Sequence, residues 1–157
     1  MKFLFVSFTT LIAAVCAQTI AIGAPSNGDT ITPGSSLTVE VDRPDTLTGS
    51  QEVAIAISLA TCPAKGPCTD MTDRLGATLY TGPYNPQFPP FPTPRNVPLQ
   101  NFTVTVPASV QAGQKAVLSV SHFSLVGAGP FDLFEIKNVT LNVGAGAPAK
   151  RSRVMRV

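Results

Sequence analysis

The chain has 157 residues, 13% of them charged and 44% hydrophobic, with 15 prolines, 12 glycines, three cysteines, one histidine and no tryptophan. That length holds one ordinary domain, and the apolar share suffices for a core, which excludes wholesale disorder. A single histidine excludes sites built from two or more, and a formal charge of +2 is too small and too scattered for a nucleic-acid-binding surface.

At the N-terminus Lys2 precedes the apolar run Phe3–Val15, which ends in Val15-Cys16-Ala17. A positive start, an apolar stretch of about 15 residues and a small-residue end predict a secretory signal peptide over residues 1–17, cleaved between Ala17 and Gln18. A spanning helix needs roughly 20 apolar residues, so a membrane anchor is disfavoured. No apolar tail follows Val143, so a released product is expected rather than a tethered one. Cleavage removes Cys16 and leaves Cys62 and Cys68, an even pair in an oxidising compartment, which reads as a disulfide. The enclosed Pro-Ala-Lys-Gly-Pro favours the turn this bridge requires. The competing reading, a metal pair, lacks further Cys or His nearby to complete four ligands.

Period-2 alternation dominates the chain beyond Gln18. Weak apolar alternation marks Thr19–Ala24. Ser36–Asp42 places Leu37, Val39 and Val41 on one face, with Thr38, Glu40 and Asp42 on the other. Glu52–Leu59 groups Val53, Ile55, Ile57 and Leu59 opposite small residues, and Leu75–Tyr80 is a weaker candidate. Asn101–Val106 points Phe102, Val104 and Val106 inward, and Lys115–Leu125 is a long β-rich run. Leu133–Val143 begins with Phe134 and Ile136 on one parity and ends with Val139, Leu141 and Val143 on the other, so a bulge near Lys137 is expected. About seven strands at this spacing predict an all-β fold, a single immunoglobulin-like antiparallel β-sandwich over residues 18–143. Two long irregular segments interrupt it. One is Thr61–Arg74, containing both cysteines; the other is Pro83–Pro98, whose seven prolines read as an extended crossing between sheets.

The sequons Asn101-Phe-Thr and Asn138-Val-Thr fall on the solvent parity of their strands, so both asparagines are expected to carry N-glycans. Residues 144–157 end in Lys-Arg-Ser-Arg-Val-Met-Arg-Val after a Gly/Ala/Pro stretch and read as a flexible basic tail.

Few residues in the chain are placed for catalysis. His122 lies on the parity of Leu118 and Val120, with no nucleophile or orienting carboxylate evident around it. No Gly-x-Ser-x-Gly elbow occurs, and the mature start is Gln18 rather than the histidine a copper oxygenase using its N-terminal amine would need. Nine acids are enough for a glycosidase pair, but nothing in the sequence sets two of them across a cleft. Asp70 and Asp73 supply at most a weak calcium site. A non-enzymatic protein without cofactor is the expectation.

The chain resembles the necrosis-inducing secreted proteins of plant-associated fungi. The likeness rests on Ile31-Thr-Pro-Gly-Ser-Ser-Leu-Thr-Val39, Leu47-Thr-Gly-Ser-Gln-Glu-Val-Ala-Ile-Ala-Ile57 and Leu75-Gly-Ala-Thr-Leu-Tyr-Thr-Gly-Pro83. Further on it rests on Gln100–Pro107, Ala116–Ala128 and Asn138–Val143. The resemblance implies a secreted effector acting in host tissue by protein binding. It implies suppression of pattern-triggered immunity through receptor-associated kinases, and cell-death induction. Loops on a rigid scaffold are where such recognition sits, so Tyr84, Phe88 and Phe91 of the proline-rich segment are the candidate partner contacts. The alternative is a secreted β-sandwich that binds cell-wall carbohydrate through aromatic stacking.

Overall fold

The structure, a computed structural model, describes residues 19–45, 48–63, 68, 74–91 and 95–145. The signal segment with its Ala17–Gln18 junction, Asp70, Asp73 and the tail beyond residue 145 lie outside the described residues. Eight strands follow one another: β1 (Ala21–Ala24), β2 (Thr30–Ile31), β3 (Ser36–Asp42), β4 (Ser50–Thr61), β5 (Ala77–Gly82), β6 (Leu99–Thr105), β7 (Lys115–Val126) and β8 (Phe131–Val143). The all-β expectation therefore holds, with eight strands in place of about seven. The addition is β2, two residues pairing parallel to the end of β8 and too short to show alternation.

A three-stranded sheet runs β1-β3-β6, and a five-stranded sheet runs β2-β8-β7-β4-β5. The inward positions of both sheets share one core. Val39, Val41, Phe102 and Val104 come from the smaller sheet, and Ile55, Ile57, Leu59, Leu118, Val120 and Leu141 from the larger. Each fully buried aliphatic side chain contributes roughly 1.5–3 kcal/mol, so this shared layer holds the two sheets face to face. The proline-rich segment crosses from β5 in one sheet to β6 in the other, as expected, but it is not extended along its length: it doubles back so that Gln87 faces Leu99 in an antiparallel bridge. It is tied down where Gln87 and Leu99 exchange backbone hydrogen bonds of 2.9 and 3.0 Å. Cys62 and Cys68 are joined, with Cα atoms 5.1 Å apart. β5 starts after Gly76, whose φ of +81° and approach to the Leu59 carbonyl leave no room for a Cβ.

Two register expectations are corrected. The β7–β8 ladder is continuous from Val126↔Phe131 to Lys115↔Asn142, so no bulge forms at Lys137. Phe134 and Ile136 instead share the outer face with Asn138, and Glu135 and Lys137 point inward with Val139. The bulge lies in β4, where the register with β7 shifts between Glu52 and Ala54. Val53 is the extra residue and is 40% exposed, not part of the Ile55 row. Because side chains alternate with period 2, that one residue turns Glu52 and Ser50 to the inner face, opposite Ser124 and Val126.

Candidate functional site

The inward turn of Glu52 gives one end of the sandwich a polar interior. His122 on β7 is fully buried, and its neighbours across the sheet are Ile55 on β4 and Glu135 on β8. Its Nε2 bonds Glu52 Oε2 in a very short contact, and its Nδ1 lies 3.1 Å from Glu135 Oε1. Both ring nitrogens thus face carboxylates, an arrangement that suits only the doubly protonated imidazolium. Burial opposes a charge on His122, but the bonds to Glu135 and Glu52 outweigh it and raise its pKa above 6.5. Burial likewise disfavours ionised Glu52; hydrogen bonds with His122, Ser50 and Arg43 prevail and bring its carboxyl from 4.5 down to about 2.

The chain of contacts continues outward. Arg43 Nε donates to Glu52 Oε1 at 2.9 Å, its Nη1 donates to the Pro44 carbonyl, and its Nη2 donates to Ser50 Oγ. Ser50 Oγ in turn donates to Glu52 Oε1 at 2.7 Å. At the other end Glu135 Oε1 accepts the backbone N–H of Ile20 at 2.9 Å, which docks the chain leading into β1 onto β8. Against burial, those contacts and Lys137 lower the Glu135 pKa. Glu135 Oε2 makes no hydrogen bond, though Lys137 Nζ stands 3.4 Å away. Charges alternate along the row Arg43, Glu52, His122, Glu135, Lys137, so the buried ions are paired rather than isolated.

An open cleft of about 430 Å³ adjoins this row, lined by Arg43, Glu52 and Tyr84 together with Pro44, Pro86 and Pro98. Tyr84 is 3% exposed; its hydroxyl donates to the Val41 carbonyl at 3.1 Å and its ring meets His122 edge-on with centroids 5.3 Å apart. Burial first, then the charge of Glu52, pushes its phenol pKa up. The candidate partner contacts therefore separate. Tyr84 is a core residue and presents no side chain to a partner, whereas Phe88 and Phe91 are 56% and 78% exposed.

The geometry constrains the chemistry. Ser50 donates to a carboxylate of pKa about 2, a weak proton acceptor, and not to His122, so the order of groups is not that of a nucleophile and its base. Among the described residues, no three His, Cys, Asp or Glu side chains are grouped to hold a metal ion. Asn101 and Asn138 both lie exposed on outer faces. The Glu52–His122–Glu135 constellation escapes the sequence because the β4 bulge is invisible there. The signal that is present is Glu135 itself, which shares its parity with Val139, Leu141 and Val143.

A comparison with curated proteins finds no match. Among solved structures, the chain is similar to entomopoxvirus fusolin, described in terms of enhanced virulence and in vivo crystallisation into viral spindles, with a TM-score of 0.54 and 16% identity. The similarity covers 85% of this chain and 44% of the fusolin chain, so the chain spans less than half of that protein, and at this identity the likeness concerns the fold alone. The model of the Nis1 family matches residues 15–142, a span running from before β1 to the penultimate residue of β8; the chain belongs to the Nis1 family of fungal effectors.

Proposed function

We propose that this protein is a secreted, non-enzymatic effector that acts on plant immunity by binding a host protein. Family membership supports the effector role, and the likeness to necrosis-inducing proteins adds receptor-associated immune kinases as partners and cell death as an outcome. Export through cleavage at Ala17–Gln18, glycans on Asn101 and Asn138 and delivery to the host apoplast belong to the same reading. The sheet pair is immunoglobulin-like in this reading, a rigid frame that presents loops.

The observation that carries it is the exposure of Phe88 and Phe91 on a crossing segment anchored at its base. The Asn85 N–H donates to Gln100 Oε1 at 2.7 Å, the Gln87–Leu99 bridge follows, and the Arg43 N–H donates to the Pro98 carbonyl at 2.7 Å. A proline-rich loop tied down at its base loses less entropy on binding than a free one, and exposed aromatics are the residues that anchor interfaces. The buried charge row supports the frame rather than a reaction, since its groups are engaged with one another.

Expression of residues 18–157 in leaf tissue, with the oxidative burst measured after a microbial elicitor, tests the reading. A suppressed burst that returns when Phe88 and Phe91 are both changed to Ala is expected. An undiminished burst together with retention on chitin, cellulose or glucan would favour the carbohydrate-binding alternative.

A further inference from the structure

The outer face of the three-stranded sheet carries a second acidic feature, remote in role from the His122 row. Glu40 and Asp42 stand two apart on β3 and project from the same face. Beside them β1 offers only Ala21, Gly23 and Ala24, and its register with β3 shifts between Ile22 and Ala24, so Gly23 is the extra residue of a bulge. A Cβ on Gly23 would lie 2.3 Å from Glu40 Oε1 and 3.0 and 3.1 Å from Asp42 Oδ1 and Oδ2. A side chain at position 23 would collide with both carboxylates, so glycine is what lets Glu40 and Asp42 pack side by side over this part of β1.

Asp42 is 3% exposed, and its Oδ1 has no hydrogen-bond partner. Its Oδ2 accepts from Arg95 Nη1 at 2.8 Å, which holds the carboxylate in place and leaves Oδ1 beside Gly23 and Glu40 without a partner. No ion pair of Glu40 occurs among the described residues. A buried carboxylate oxygen without a partner is costly, and a neighbouring carboxylate adds repulsion; a bound cation relieves both.

We propose that Glu40, Asp42 and the Gly23 bulge bind a hard divalent cation of the calcium type. The donors are oxygens alone, with neither imidazole nor thiolate, a set that favours calcium or magnesium over zinc or copper. Two carboxylates leave the remaining coordination to water, and calcium accepts such irregular shells more readily than magnesium. The ion would clamp β1 to β3, and β1 begins directly after Ile20, whose N–H is bonded to Glu135.

The test is the melting temperature of the mature protein after chelator treatment, with calcium chloride, magnesium chloride or sodium chloride added at matched ionic strength. Calcium at about tenfold above its dissociation constant should raise the midpoint by about 3–5 °C, with a smaller rise for magnesium and none for sodium. Glu40→Gln and Asp42→Asn should each abolish the rise. If Asp42→Asn does not fold, the half-buried Glu40 variant decides alone. No rise in calcium at about 10 mM, well above the weaker affinities of extracellular modules, overturns the proposal. So does an equal rise in wild type and Glu40→Gln.

Discussion

Glu52 reaches His122 because Val53 is displaced from the β4–β7 ladder. Regular alternation would put Val53 beside Ile55 and send Glu52 to the outer face. The bulge reverses both, and two substitutions tell the registers apart. Val53→Lys should alter stability by no more than about 0.5 kcal/mol, since its side chain already meets solvent. Ile55→Asp should unfold the domain by placing an unpaired charge between the sheets. Urea denaturation of both variants reads the difference, and equal damage would return Val53 to the core.

The buried row stabilises as a unit. Removing His122 as His122→Leu leaves Glu52 and Glu135 facing each other with no cation between them, and should cost about 3–5 kcal/mol. Combining it with Glu52→Gln and Glu135→Gln removes the like charges and should recover part of that loss, a non-additivity expected of groups in one network. Denaturant midpoints of the single and triple variants measure it. A triple variant as damaged as the sum of its parts would mean the groups act independently.

The same row fixes how stability depends on pH. Glu52 falls from 4.5 in the unfolded chain to about 2 in the fold, so its contribution is complete above 4.5 and is lost as pH drops toward 2. Glu135 shifts in the same direction. His122 is raised above 6.5, so its contribution is complete below 6.5 and is lost as pH rises through the folded value. Stability should therefore peak between about pH 4.5 and 6.5 and decline on both sides. Thermal melts across about pH 2–9 check this, and His122→Gln should flatten the alkaline limb while leaving Glu52's part of the acid limb in reduced form.

Much of the sandwich is legible in the sequence because a half-buried strand writes its register into alternate residues. Leu37, Val39 and Val41 on β3, and Phe102 and Val104 on β6, occupy the faces that pattern assigns. The crossing segment is legible from its prolines, and the cysteine pair from compartment and spacing. What the pattern misses is local. A bulge leaves no mark in composition, so the parity change in β8 reads as an extra residue there, when it reflects two charged residues, the largely buried Glu135 and the partly exposed Lys137, on the inward parity. β2 escapes because its two residues owe their conformation to β8, a partner far away in sequence. The charge row escapes with the bulge, since a solvent-facing Glu52 cannot be matched with His122.

The aromatic residues of the crossing segment divide by task, and one of the three is structural. Tyr84 is packed between Phe102 and His122, with ring centroids at 6.3 and 5.3 Å, and its hydroxyl bridges to β3 through the Val41 carbonyl. Tyr84→Ala should cost about 3–5 kcal/mol by opening a cavity beside the imidazolium. Tyr84→Phe should cost about 1–2 kcal/mol, reflecting the lost hydrogen bond and the carbonyl left behind. Phe88→Ala and Phe91→Ala remove side chains that are more than half exposed and should each change stability by no more than about 0.5 kcal/mol. A loss of burst suppression in the Phe88/Phe91 double variant, with its melt unchanged, therefore reports on recognition. The same loss in a Tyr84→Ala variant reports on unfolding, and differential scanning calorimetry of the two separates them. Cooperative melting of Tyr84→Ala at the wild-type temperature would show that Tyr84 is not part of the core.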